Sequence, residues 1–238
     1  MFRFTAPAPR ALAASAAFVL IAATATAQAT SSSTTQNRGT RRLNANRQAR
    51  IARNIADEYS HRWEVAGGGG FLRFRTGQDL QKISQVNFFM NANYQLSPTL
   101  GIVGDVRGFY GSANIPNLYV KNGVYSPQIS EYTFMAGPQY RFYAKEKYTM
   151  SANVVAGVAT SKFGGDAKGL RSEDLGMWPD SNAKFAYSFS VMADYNVYNN
   201  LAVRIQPTYV GTTFGGTVQN NLGVQAGVVY RFGRQPKQ

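Results

Sequence analysis

The sequence predicts an all-β fold: an eight-stranded antiparallel transmembrane up-and-down β-barrel with a short N-terminal helical extension. Three observations carry this. From Trp63 onward, apolar and small or polar residues alternate with a period of two in eight separate segments. Each segment has about ten to fourteen residues, the length a tilted strand needs to cross a bilayer. The connections between them alternate short and long, as in outer-membrane barrels with short periplasmic turns and longer external loops.

The chain opens with Arg3 and Arg10, an apolar run from Ala11 to Ala23, and then small residues. That is the pattern of a secretory signal peptide, assigned to residues 1–29 with cleavage after Ala27 or after Ala29. The apolar run is too short to span a bilayer as a helix. Residues 30–62 follow as a periplasmic segment. Thr30 to Gln36 is a Ser/Thr/Gln tract with nothing to bury. In Arg38–Arg62, Ala45, Ala49, Ala52, Ile55, Ala56 and Tyr59 recur at helical spacing, with Arg47, Arg50 and Asn54 opposite. This Arg-rich amphipathic helix either lies against the anionic inner leaflet or merely spaces the barrel from the cleavage site. Both readings stay open.

The barrel is expected over residues 63–232, leaving 233–238 as a short polar tail. Its strands are Trp63–Leu72, Gln85–Leu96, Leu100–Gly111, Glu131–Phe142, Tyr148–Ala159, Lys184–Tyr195, Leu201–Thr212 and Gln219–Phe232. Short turns follow the second, fourth and sixth. The long connections are Arg73–Ser84, Ser112–Ser130, Thr160–Ala183 and Thr213–Val218, with Thr160–Ala183 the longest. Pro138 and Pro207 lie inside strands, so a bulge or a missing ladder bond is expected at each. Gly67–Gly70 is a poor strand by propensity, but glycine lets a small barrel bend sharply or makes room for arginine across the lumen.

Parity divides each strand into two faces. Val86, Phe88, Met90, Phe134, Phe189, Val203 and Ile205 belong to a face without charge, which a soluble barrel would not expose to water. Aromatic residues gather at its edges. Trp63, Tyr94, Tyr140, Phe142, Tyr148 and Tyr195, with Tyr230 and Phe232, form a girdle at the periplasmic rim; Phe71, Tyr110, Tyr132, Phe185 and Tyr209 ring the external one. The other face takes Glu64, Asp105, Arg107, Glu131, Arg141, Asp194, Arg204 and Arg231 into a lumen charge network. Eight strands leave room only for side chains, and buried charge must be paired, so a plugged core is expected instead of a pore.

Composition excludes several chemistries. With no cysteine there is no disulfide scaffold, no thiol nucleophile and no thiolate metal site. The single histidine, His61, sits beside Arg62 just before the first strand with no companion for catalysis, so neither catalytic nor metal residues are assigned and no cofactor is expected. Gly67–Gly70 lacks the Gly-Lys-Ser/Thr of a phosphate loop. Asp166, Glu173, Asp174 and Asp180 share their loop with Lys162, Lys168 and Arg171, which reads as solvated charge, not a calcium site. The formal charge is +13, with nine Arg against two acids up to Arg62. Export sets nucleic acid aside as a partner and favours outer-membrane lipids.

Over Trp63 to Phe232 the chain resembles small outer-membrane β-barrels of the OmpA/OmpX type. The most specific element is the last strand: Leu222, Val224, Ala226, Val228, Tyr230 and Phe232 fall on one face and end on an aromatic. It looks like the C-terminal barrel-assembly signal of such proteins (Val228, Tyr230, Phe232), although Gly233 to Gln238 follow where the pattern usually closes the chain. Tyr132 to Tyr140 has the strand style of the group. The resemblance implies a bacterial outer-membrane location, with both termini periplasmic, and insertion by the barrel-assembly machinery. It implies no activity. The expected function is non-enzymatic: a structural or interaction role in envelope integrity or adhesion, with an extracellular ligand reached through the loops. A narrow pore and a lipid-modifying enzyme are the alternatives.

Overall fold

Alternation with a greasy outside and a small or polar inside can close on itself, and here it does. The computed structural model describes residues Arg38–Arg234. Helix α1 (Arg38–Glu58) precedes β1 (His61–Arg75), β2 (Lys82–Gln95), β3 (Leu100–Ser112), β4 (Gln128–Ala144), β5 (Tyr148–Gly165), β6 (Ser181–Tyr198), β7 (Leu201–Thr212) and β8 (Gln219–Arg234). Each strand pairs antiparallel with the next, and β1 pairs with β8 from His61↔Arg234 to Arg73↔Leu222, so the barrel is closed. Closure leaves no free strand edge. The signal-peptide assignment, the Ser/Thr/Gln tract and residues 235–238 lie outside the described residues.

Most strands run further than the alternation indicates. β5 continues to Gly165 and β6 starts at Ser181, so the connection between them shrinks to 166–180, equal in length to 113–127 between β3 and β4. The other two long connections are 76–81 and 213–218. Gly233 and Arg234 belong to β8, not to a tail, and Leu96 falls in a turn. The physical reason is that Lys162 and Asn182 stand on the outward side beyond the apolar belt. There the polar contrast between faces vanishes while the backbone ladder continues.

Both strand prolines interrupt one ladder without shifting it. The β4–β5 pairing skips from Ala136↔Ala156 to Gln139↔Asn153, and β6–β7 skips from Ser190↔Thr208 to Ala193↔Ile205, each in unchanged register. The bonds are lost at Pro138 and Pro207, and the bulges lie near strand ends instead, as at Arg141/Tyr143 and Asn196/Tyr198. Glycine acts at two seams. A Cβ on Gly68 would lie 2.1 Å from the carbonyl oxygen of Ala226, and one on Gly157 would lie 2.0 Å from that of Phe134. The β1–β8 and β4–β5 seams are on opposite sides of the ring, so the wall is creased where these backbones approach.

The helix ends earlier than its periodicity suggests. Ser60 closes it by donating from Oγ to the Asp57 carbonyl (2.7 Å), and His61 and Arg62 are already in β1. The alanine face is not buried: Ala45, Ala49, Ala52 and Ala56 are all exposed. Half-buried Ile51, Asn54, Ile55 and Tyr59 form the docked side, so Asn54 lies with Tyr59 and not opposite it. Asn54 donates to Glu146 (2.9 Å), Tyr59 donates to the Lys145 carbonyl (2.8 Å), and Asn199 donates to Asp57 (3.1 Å).

Candidate functional site: the barrel interior and its loop cap

The inward residues sort into layers along the barrel axis. At the end carrying the short turns, Glu64 and Asp194 meet three arginines. Arg204 donates to both: Nη2 to Glu64 (2.5 Å) and to Asp194 (2.8 Å), Nε to Asp194 (2.7 Å). Arg231 likewise bridges them, Nε to Glu64 (3.1 Å) and Nη2 to Asp194 (3.1 Å), and its Nη1 donates to Asn196 (3.0 Å). Arg141 is the most loosely held, with Nη2 at 3.5 Å from Glu64, Nη1 donating to the Pro98 carbonyl (3.1 Å), and its guanidinium over the Tyr59 ring. All five are 5% exposed or less. Two carboxylates shared among three guanidiniums make one network, because removing any member strands a charge in a poorly hydrated interior.

Above this layer the interior is amide-rich. Asn91, Asn93, Gln139, Asn153, Gln206 and Gln225 are buried, and their side chains have no hydrogen-bond partner among the protein's described atoms. Asp105 and Arg107 form a separate pair on β3: Nε to Oδ1 at 2.6 Å and Nη2 to Oδ2 at 3.2 Å, with Nη1 donating to Thr208 (2.7 Å). They do not join the turn-end network. Nor does Glu131, whose position in a single lumen network is corrected here: it is fully buried, and among the described residues neither carboxylate oxygen has a hydrogen-bond or ion-pair partner. It stands beside Phe109 in register, at the lower margin of an apolar layer that carries no cation.

That apolar layer is what sequence reasoning missed. At the loop end Leu72, Phe109 and Val210 close the interior, and Phe74, Phe163 and Phe214 stack above them with ring centroids 5.4 to 6.4 Å apart. Leu80, Ile115, Val124, Leu175, Met177 and Trp178 descend from the loops onto these rings. Trp178 is pinned to the end of β1 and the residue after it, its Nε1 donating to the Arg75 carbonyl (2.8 Å) and its backbone N to the Thr76 carbonyl (2.9 Å). Asp180 accepts from the Phe163 backbone N (2.7 Å), and Asp174 accepts from the Arg171 backbone N at the start of a single 3-10 turn. The loops are therefore a packed lid. Phe74 was legible as the continuation of the Leu72 parity; Leu175, Met177 and Trp178 carry no periodic signal.

Outward positions show the complementary pattern. Trp63 stands in register with Tyr94 on one side and Phe232 on the other, and Tyr148 with Tyr195. Tyr140 and Phe142 are half exposed at the same end, as are Val228, Tyr230 and Phe232 on β8. At the loop end the Tyr110 and Tyr132 hydroxyls share a hydrogen bond of 2.6 Å. His61 sits at the start of β1 opposite Arg234, and among the described residues no group of His, Asp or Glu is arranged to hold a metal.

No family model matches the chain, and no curated protein does. Among solved structures, Neisserial surface protein A is similar at a TM-score of 0.53 and 14% identity, over 71% of this chain and 97% of that one. Ail, the attachment invasion locus protein of Yersinia pestis, is similar at 0.48 and 16%, over 73% and 99%. OprG from Pseudomonas aeruginosa is similar at 0.47 and 12%, over 73% and 98%. At 14% identity the likeness to Neisserial surface protein A is one of fold alone.

Proposed function

We propose that this chain is a non-enzymatic outer-membrane barrel that acts through its loop-end surface, in envelope integrity or adhesion. One observation carries the reading: polar character is inverted relative to a soluble protein. Phe88, Met90, Ile102, Phe134, Val154, Phe185 and Ile205 are exposed around the wall, while Arg107, Arg204 and Arg231 are the largest side chains wholly inside. Only a hydrocarbon surround makes that arrangement favourable. The end bearing the short turns, the docked part of the helix (42–58) and the C-terminal end of β8 then faces the periplasm, and the packed lid faces outward. Val228, Tyr230 and Phe232, exposed on β8, would be the signal the barrel-assembly machinery reads. With the interior filled by the ionic network below and the aromatic layer above, a conducting pore and a lipid-processing cleft are both disfavoured.

Fractionation with gel analysis tests the membrane reading. The protein should partition with outer membranes, and an unheated detergent sample should migrate differently from a boiled one, because a closed ladder resists detergent unfolding. Recovery in the soluble fraction overturns the reading. Planar-bilayer recording tests the sealed interior, and discrete conductance steps would make the protein a narrow pore.

A further inference from the structure

The charged residues on the outward side of the strands at the loop end are all basic, and two of them face each other directly. Arg75 and Lys82 are cross-strand partners in the last rung of the β1–β2 ladder, both exposed, with Arg73 two residues below. Like charges in that position repel. Among the described residues neither has a carboxylate within ion-pairing distance, although Asp79 lies in the same connection. Arg75 and Lys82 both line a pocket of about 360 Å³ at the loop end of β1, together with Gln78, Trp178, Thr217, Val218, Gln219 and Asn220.

Polar side chains able to donate share the lining with Trp178 and Val218, which supply an apolar wall. The Asn220 carbonyl oxygen is taken by the Tyr209 hydroxyl, which leaves its amide NH₂ to donate. Thr217 Oγ1 accepts from Gln219 Nε2 (3.1 Å), which leaves its hydroxyl proton free, and Gln219 itself is locked by bonds to Phe214. Trp178 forms one wall, bonded to the Arg75 and Thr76 carbonyls. No acidic side chain lines the pocket. Two cations, two amides and a hydroxyl lining one space suit a tetrahedral oxyanion.

Its height selects the carrier. Arg75 lies four residues beyond outward Phe71 on β1, roughly 10 Å further along a tilted strand and so at head-group level. We propose that this rim pocket binds the phosphate group of an outer-leaflet glycolipid, with Arg75 and Lys82 as the charge-bearing donors and Gln78, Thr217 and Asn220 as orienting ones. This rests on the outer-membrane reading above.

Trp178 provides the readout, because the chain has only two tryptophans and Trp63 is at the opposite rim. A Trp63→Phe protein refolded in mixed micelles would be titrated with a diphosphorylated glycolipid, its dephosphorylated counterpart, and inorganic phosphate. The phosphorylated lipid should shift Trp178 emission saturably and the dephosphorylated lipid should not. R75S/K82S should weaken the response about tenfold or more. K162S/K184S, which removes equal charge elsewhere on the same rim, should leave it in place. Equal loss in both double variants means diffuse rim attraction and overturns the site. An equal response to inorganic phosphate overturns the lipid assignment in favour of a soluble anion. A flat response from protein that still shows heat-modifiable mobility overturns the pocket while leaving the barrel reading intact; loss of that mobility would instead indict the barrel reading.

Discussion

Replacing Glu64 with alanine removes one of two carboxylates that hold three guanidiniums together, so the turn-end network goes from an excess of one positive charge to an excess of two. Replacing Arg204 instead brings the same network to neutrality, while stripping Glu64 and Asp194 of their shortest contacts. Both changes break buried pairs, a class of loss worth about 3–5 kcal/mol. The sign of the residual charge separates them, since uncompensated like charge in a dry interior adds to the cost of the lost bonds. Glu64→Ala should therefore cost more than Arg204→Ala. Arg141→Ala should cost least, about 1–3 kcal/mol, because its contact to Glu64 is long and its other bond is to a carbonyl. The measurement is urea-induced unfolding in lipid vesicles followed by tryptophan emission, with linear extrapolation for each variant. A Glu64→Ala/Arg204→Ala double variant should be less damaged than the two single losses together, because each residue's cost includes stranding the other. Additive losses, or Glu64→Ala no worse than Arg141→Ala, would refute the shared-network account.

Neighbouring wall positions should respond in opposite ways. Ile205→Arg places a charge on a half-exposed outward site and should cost about 2–4 kcal/mol if that site lies near the bilayer midplane, whereas inward Gln206→Asn should be nearly neutral in the same refolding assay. Equal tolerance would mean the barrel is not surrounded by hydrocarbon. At the crease, Gly157→Ala drives a methyl group into the Phe134 carbonyl and should collapse the refolding yield, while Gly104→Ala, with open space around its Cβ, should fold normally. Trp178→Ala should leave the heat-modifiable gel shift intact but make the connection 166–180 cleavable by added protease, since it removes both the indole anchor to Arg75 and the lid's contact with the aromatic layer; continued resistance would show that the lid does not depend on this anchor.

Strand number, register parity and the inside–outside division were legible from the chain itself, because a wall one residue thick between an apolar outer face and a packed lumen writes its two environments on alternate residues. Leu201–Thr212 matches β7 residue for residue, and every acid and arginine assigned inward is buried. The same logic explains where legibility stopped. β5 and β6 run past their apolar stretch, where Lys162 and Asn182 stand exposed on the outward side, so nothing in their composition marks the strand's end. Partner choice inside the lumen depends on which strands closure brings face to face. Arg204 reaches Glu64 across 140 positions of sequence, and Glu131 finds no cation because its neighbours in register are Phe109 and Ser161. The alternating pattern by itself determined a closed barrel with charge inside and grease outside. Only the tertiary structure decided that its charges split into a five-membered cluster, an isolated pair and a lone carboxylate, and that Leu175, Met177 and Trp178 fold down as a lid. Those outcomes depend on distances set by closure and on loop residues packing where no period constrains them.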